Sequence, residues 1–173
     1  PFHSAHDCPP AAGSSNTAGT GTVINNTCTG HSAAGDLIGG GGIINDNGTV
    51  TVPDSTFSGN SARRFSGGIE NNQGILTVSN STFAGNSADA GGNGSGIWSD
   101  GAGVRLKNTI VANSLHGPNC SGAVTDGGGN LSYPDTTCPG INSDPKLGPL
   151  QGNGGTTPHV AAPHRQYPAG GAN

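Results

Sequence analysis

Gly67-Gly68-Ile69-Glu70, Ile75-Leu76-Thr77-Val78 and Ser81-Thr82-Phe83-Ala84-Gly85-Asn86-Ser87-Ala88 are three blocks of one short stretch, and they recur on both sides of it. Upstream stand Gly41-Gly42-Ile43-Ile44, Thr49-Val50-Thr51-Val52 and Ser55-Thr56-Phe57-Ser58-Gly59-Asn60-Ser61-Ala62. Downstream stand Ser95-Gly96-Ile97-Trp98, Gly103-Val104-Arg105-Leu106 and Asn108-Thr109-Ile110-Val111-Ala112-Asn113-Ser114. A worn copy, Asn26-Thr27-Cys28-Thr29-Gly30-His31-Ser32-Ala33, precedes them all. From Cys28 through Phe57 and Phe83 to Ile110 the steps are 29, 26 and 27 residues. A period of that size denotes a solenoid, propeller or array.

Inside each copy the apolar residues alternate, Val50 with Val52, Leu76 with Val78 and Val104 with Leu106. That is the two-residue period of a strand with one buried face, and nothing recurs at helical spacing. Between the strands lie Asn-Asp-Asn-Gly, Asn-Asn-Gln-Gly and Ser-Asp-Gly, residue types that tolerate positive φ and make tight corners. Such a coil cannot bury its own apolar face, but coils stacked about 4.8 Å apart pair each strand with its copies above and below. The aligned positions then form inward ladders: Ile43, Ile69 and Ile97; Val50, Leu76 and Val104; Val52, Val78 and Leu106; Cys28, Phe57, Phe83 and Ile110. Asn60, Asn86 and Asn113 are expected to stack at a corner, where amides can hydrogen-bond along the axis. The expected fold is all-β, a parallel β-solenoid of the right-handed β-helix type. Its expected parts are an N-terminal extended segment at 1–19, coils over 20–116 and a loop-rich C-terminal coil and tail at 117–173.

Composition excludes the main competitors. Gly is 33 of 173 residues, aromatics are 4% and charged residues 9%, too few for a helical bundle or an ordinary enzyme domain of this length. Collagen would need Gly at every third position, which Ile75-Leu76-Thr77-Val78-Ser79 breaks. A net charge of −4 gives no reason to expect nucleic acid or an anionic membrane as partner, and no apolar run of 18 or more residues is present to span a bilayer. The sequence starts at Pro1 and contains no Met, from which an exported protein with its signal peptide removed is expected. Four cysteines without Cys-x-x-Cys spacing suit structural disulfides in an oxidising compartment. Of the three possible pairings, Cys8 with Cys28 and Cys120 with Cys138 is expected. It closes a loop of about 20 residues at each end, where a solenoid frays. Cys28 also falls in the Phe57 ladder, where a buried free thiol is the alternative.

The motifs Phe-x-x-Asn at Phe57 to Asn60 and Phe83 to Asn86 alternate with Gly-Gly-Ile at Gly41 to Ile43 and Gly67 to Ile69. This pattern resembles the repeat of the polymorphic outer membrane proteins, exported and surface-displayed right-handed β-helices that include adhesins. The run from Asn119-Cys120-Ser121-Gly122 through Gly127-Gly128-Gly129-Asn130-Leu131 to Asp144-Pro145-Lys146-Leu147-Gly148-Pro149-Leu150 is similar to the end of many large bacterial secreted β-helix repeat proteins. The two resemblances span roughly residues 20 to 160 and imply architecture rather than a catalytic site. The tail His159-Val160-Ala161-Ala162-Pro163-His164 departs from the more apolar ending of such proteins, and the membrane β-barrel of the classical members is absent from this sequence.

A polysaccharide lyase or hydrolase on such a scaffold needs two or three carboxylates on one outward strand face. Here the outward positions read Thr51 and Pro53, Thr77 and Ser79, Arg105 and Lys107. Asp46 and Asp100 align at a corner with Asn72 between them, and Glu70, the only Glu, is expected to face solvent alone beside Ile44 and Trp98. Six histidines match no zinc spacing, and haem, phosphate-loop and calcium-repeat motifs are missing, so no cofactor or metal is expected. Thr20, Thr22, Thr49, Thr51 and Thr77 line up in part as an ice-matching array would, but Ile75, Gly103 and Arg105 interrupt them. Trp98, the only Trp, is expected outward as a sugar platform or interface anchor, or half-buried under the C-terminal loops. Sequons at Asn25, Asn47, Asn80, Asn93, Asn119 and Asn130 barely exceed what this composition gives by chance.

The function expected is a non-catalytic extracellular or cell-surface structural protein, either a filament subunit stacked head to tail on itself or an adhesin module. The alternative is a secreted glycan-binding or glycan-cleaving β-helix. In a filament His3 and His6 would approach His159 and His164, with Trp98 a further interface residue.

Overall fold

The computed structural model describes residues 3–4, 14–33, 40–89, 93–101, 103–151 and 159–160, with the backbone alone at 3, 4, 14, 159 and 160. Among them every regular element is a strand, and the chain winds through them coil by coil. After β1 (His3–Ser4), which belongs to the coil before, the first pass holds β2 (Ser14–Thr17), β3 (Thr20–Val23), β4 (Thr27–Thr29) and β5 (Ser32–Ala33). The second holds β6 (Ile43–Asp46), β7 (Thr49–Pro53), β8 (Thr56–Ser58) and β9 (Ser61–Ala62). The third holds β10 (Ile69–Asn72), β11 (Ile75–Ser79), β12 (Thr82–Ala84) and β13 (Ser87–Ala88). Then come β14 (Ile97–Ser99), β15 (Val104–Lys107) and β16 (Ile110–Ala112), followed by β17 (Cys120–Ser121), β18 (Val124–Asp126), β19 (Leu131–Tyr133) and β20 (Ile141–Asn142). A short antiparallel pair, β21 (Leu150–Gln151) with β22 (His159–Val160), ends the order.

Strands one coil apart pair in parallel, giving a first sheet β1-β3-β7-β11-β15-β18 and a second β2-β6-β10-β14-β17. A third, β4-β8-β12-β16-β19-β20, and a small β5-β9-β13 complete the wall. The protein is thus a parallel β-solenoid, as the repeat implies. Pairing extends beyond 20–116 on both sides, since β1 and β2 lie within 1–19 and β17 to β20 within 117–173.

The interior follows from the alternation. Ile43, Ile69, Ile97 and Cys120 are partners in the second sheet. Val50, Leu76, Val104 and Val124 are partners in the first, with Val52, Val78 and Leu106 two residues on. The nine predicted members of these three ladders are all 0% exposed. Each side chain of this size contributes about 1.5–3 kcal/mol when removed from water. In the third sheet Cys28, Phe57 and Phe83 stack as expected, with the two phenyl rings 4.6 Å apart and 3° from parallel. That distance matches the strand spacing, so the repeat itself sets the ring geometry.

Two positions of the third copy are corrected by one residue. The partner of Phe83 is Val111, 1% exposed, whereas Ile110 pairs with Thr82 and lies half-buried on the outer side. Five residues separate Val52 from Phe57, Val78 from Phe83 and Leu106 from Val111, so the strand register carries Val111 inward. The same shift removes Asn113 from the corner ladder. Asn113 is exposed with φ 57°, in the place of Gly59 (φ 63°) and Gly85 (φ 61°). Asn60 and Asn86 do stack: Asn60 N–H and Nδ2 donate to Asn86 Oδ1 at 3.0 and 3.1 Å, and Asn60 Oδ1 accepts His31 N–H at 3.0 Å.

A second amide ladder is buried in the wall of the second sheet. Asn16 Nδ2 donates to Asn45 Oδ1 (3.0 Å), Asn45 Nδ2 to Asn71 Oδ1 (2.7 Å) and Asn71 Nδ2 to Ser99 Oγ (3.3 Å). Each amide also donates to a carbonyl three residues on, at Gly19, Gly48 and Gly74. The residue before that glycine takes positive φ at Ala18, Asn47 and Gln73, so Asn-x-x-Gly is one corner repeated in three coils. Glycine is required there, because a Cβ at Gly48 would strike Asn16 Nδ2 and one at Gly74 would strike Asn45 Nδ2.

The C-terminal end of the core is closed by a disulfide, Cys120–Cys138, as paired from the sequence. Both cysteines are 2% exposed and belong to the same apolar cluster as Ile97 and Val111. Cys28 is disulfide-bonded and fully buried, which excludes the free thiol; its expected partner Cys8 lies outside the described residues.

Candidate functional site

The outward row of the second sheet carries Ile44, Glu70 and Trp98 as register partners. Ile44 and Glu70 are buried, at 9% and 7% exposure, so Glu70 does not face solvent as expected. The strand pattern alone sends this row outward. The turn at 63–65, which follows β9, supplies aromatic and cationic side chains to the same flank. Phe65 packs on Trp98 with ring centroids 4.6 Å apart and planes tilted by 38°, and the Arg64 guanidinium lies 5.3 Å from the Phe65 centroid. Trp98 is therefore half-buried, as one of the expectations had it, but its stacking partner is Phe65, not a C-terminal loop. Asn93 Nδ2 holds the Arg64 carbonyl at 3.2 Å, which ties the turn to the next coil. This is the one place among the described residues where aromatic rings and an arginine stack on the outer wall, in the row that also carries Glu70. Stacking and cation–π contacts are the chemistry it can offer a ligand.

The aspartates serve corners. Asp46 Oδ1 accepts from Asn47 and Asn72 amides at 2.9 Å each, and Asp54 Oδ1 from Asn80 at 3.1 Å. Asp126 Oδ1 accepts Gly128 N–H at 2.8 Å and Asn130 Nδ2 at 2.6 Å. Asp135 accepts Asn119 and Thr137 N–H groups, both at 2.9 Å. Asp89 meets His116 Nδ1 at 3.1 Å on an exposed edge. Asp144 meets Lys146 Nζ at 2.6 Å; that bond holds the carboxyl below its usual range and raises the ammonium. Among the described residues no three of His, Cys, Asp or Glu are placed to hold a metal.

Other sequence candidates fall apart or into the framework. Thr22, Thr51 and Thr77 form one outward row that continues into Arg105, and Thr20 and Thr49 lead to Ile75, 57% exposed. Asn119 and Asn130, two of the six sequons, are buried at 0% and 4% with their amides donating to Tyr133 O and Leu106 O. Asn80 sits in an exposed corner ladder, donating to Asp54 and accepting from Asn108 at 3.2 Å. His6 and His164 lie outside the described residues, as do the side chains of His3 and His159. Phe65 and Arg64 were missed because they belong to a turn outside the repeat blocks, and no periodic signal marks them. No family model, curated protein or solved structure matches the chain.

Proposed function

We propose that the chain is a non-catalytic extracellular β-solenoid, displayed as an adhesin-type module, not laid down as a filament subunit. The use of its acids carries this reading. Asp46, Asp54, Asp126 and Asp135 accept hydrogen bonds that form corners, and such acceptors are not poised for general acid–base work. The likeness to surface-displayed polymorphic outer membrane proteins and the buried disulfide, which suits an oxidising compartment, support export. The loop that the Cys120–Cys138 cystine holds against the last strand of the second sheet, where Thr137 takes the Cys120 N–H, supports the module over the filament. The oxidised protein is expected to sediment as a 16.8 kDa monomer, to bind intact cells, and to release no sugar fragments from acidic or neutral polysaccharides. Steady production of such fragments, or a polymer in native material, would sink the reading.

The Phe65–Trp98 pair with Arg64 beside it favours a second reading, a glycan-binding module. Because Trp98 is the only Trp, its fluorescence reports directly on that flank. A saturable shift with a polysaccharide, lost in folded Phe65→Ala, would favour this reading; an unchanged spectrum across uronic-acid and neutral glycans would remove it.

A further inference from the structure

The second sheet ends at β17, and how its last edge is closed bears on whether the solenoid stays single. Ile97 N–H donates to Asn119 O on the inner side of β17. Successive residues of a parallel strand turn their N–H and C=O to alternate sides, so Cys120 N–H points to the open side. There it donates to Thr137 Oγ1 at 3.0 Å, and the neighbouring Asn119 N–H donates to Asp135 Oδ2 at 2.9 Å. Asp135 Oδ1 also accepts Thr137 N–H at 2.9 Å, and Ser132 Oγ donates to Asp135 O at 2.7 Å, so the loop is fixed from both sides. The Cys120–Cys138 disulfide ties the same loop to β17 itself. The Cys120 N–H, which would recruit a further strand, is thus engaged by a side chain of the molecule's own loop, and the bond from Asn119 N–H to Asp135 pins that loop beside it. Open edges otherwise recruit strands.

We infer that the 134–138 loop is a stopper, and that what it keeps out is the β2 strand of a second copy. The ladder β2-β6-β10-β14-β17 is parallel throughout, so its continuation needs a parallel strand with the same coil register. β2 is the strand with which this sheet begins. Ala18 N–H donates to Asp46 O, and the same alternation leaves the N–H groups of Ser15 and Thr17, both exposed, directed away from β6. Setting β2 of one copy on β17 of another continues the row of positions Ser14, Ile43, Ile69, Ile97 and Cys120. Such a contact is heterologous and does not close, so it propagates. This goes beyond the displayed module, because it concerns the molecule with its end opened.

A dithiol such as dithiothreitol opens the stopper by passing two electrons and two protons to the Cys120–Cys138 cystine, leaving two thiols there and the oxidised, cyclic reagent; it reduces the cystine of Cys28 in the same way, so Cys138→Ser, which keeps that one, is the specific arm. Cys138→Ser opens the stopper without reagent. The oxidised full chain is expected to sediment as a monomer. The reduced or Cys138→Ser protein, with its β circular dichroism retained, is expected to form assemblies of two or more chains that grow with concentration. Ser15→Pro, which removes one outward N–H from an edge strand, is expected to return them to monomer. Opened, folded protein that stays monomeric overturns the inference. Assembly indifferent to Ser15→Pro overturns it as well, and so does polymer in the oxidised protein. If opening the cystine abolishes the β signal, the double variant Asp135→Ala, Thr137→Val with the disulfide intact decides: self-association supports the stopper, a monomer overturns it.

Discussion

The coils from β6 to β13 and the region from β17 to β20 hold a solenoid together by different means. In the former, like stacks on like: Phe57 on Phe83, Asn45 on Asn71, Asn60 on Asn86. In the latter hardly any residue stacks on its own kind. A cystine, Asp135, Thr137 and Asn119 close the end through side-chain bonds to main chain. An inner coil meets an identical neighbour on both sides, so one residue choice satisfies both faces and can be repeated. The last coil meets a neighbour on one side only, and each exposed donor needs its own solution.

The sharpest way to break this contrast is at the phenyl stack. Phe57→Ala and Phe83→Ala should each lower unfolding free energy by about 3–5 kcal/mol in a denaturant titration, because fixed coils above and below cannot collapse into the space. Ile110→Ala, at the position where the repeat alone would put a core residue, should cost clearly less, since Ile110 lies half-buried on the outer side. Equal losses at Phe83 and Ile110 would mean that the third copy keeps the register of its sequence motif and not that of its strands.

The buried amides come next. Asn71→Ala leaves Gly74 O without its 2.7 Å donor and Asn45 Nδ2 without one acceptor, each within a 0% exposed corner. An orphaned buried group costs about 1–3 kcal/mol. Its neighbour Asn72 is half-buried with one bond, to Asp46, and Asn72→Ala should cost well under 1 kcal/mol on the scale of exposed hydrogen bonds. Similar losses at the two positions would show that the inner amide ladder is no firmer than the outer corner.

These residues also mark how far the sequence could be read. The ladders of Ile43, Val50, Val52 and Phe57 were legible because burial of one strand face imposes a two-residue period that copies itself from coil to coil. Asn45 and Asn71 carried the same periodicity, two residues beyond Ile43 and Ile69. They were nonetheless taken for turn residues, because a buried amide is recognised only through its partners. The shift at Val111 was legible in the spacing from Leu106, but the Asn-Ser pair at Asn113-Ser114 imitates Asn60-Ser61 and points to the wrong register. On the outer flank, Glu70 reads as exposed from strand alternation. Beside it, the turn at Arg64-Phe65 stacks on Trp98, the register partner of Glu70, and lies outside the repeat blocks.

A weaker effect is expected on the outer face of the first sheet. Thr51→Ala and Thr77→Ala should each change stability by well under 1 kcal/mol, since both are half-buried outward positions in paired strands and retain their main-chain bonds. Val52→Ala and Val78→Ala, one residue away and 0% exposed, should cost about 2 kcal/mol or more by the transfer and cavity terms. The two faces of β7 and β11 are thereby compared within single strands by thermal melts.

The smallest effect should come from the segment after β20, where Asp144 and Lys146 form their exposed ion pair. The hydrogen bond from Lys146 keeps the Asp144 carboxyl below its usual range, so its contribution exists above the unfolded-state value and is lost as pH falls through the depressed one. The Lys146 ammonium is raised by the same bond, so its contribution exists at lower pH and disappears as pH rises through its elevated value. Between those limits the pair is complete. Solvent screens it, however, and exposed pairs of this kind add little or nothing measurable. Asp144→Asn should therefore leave the melting temperature at pH 7 unchanged, and the fall in stability toward pH 3 should be superimposable on that of the unaltered protein. A variant curve that is flatter below pH 4 would show that the segment after β20 contributes to closing the C-terminal end, along with the cystine and Asp135.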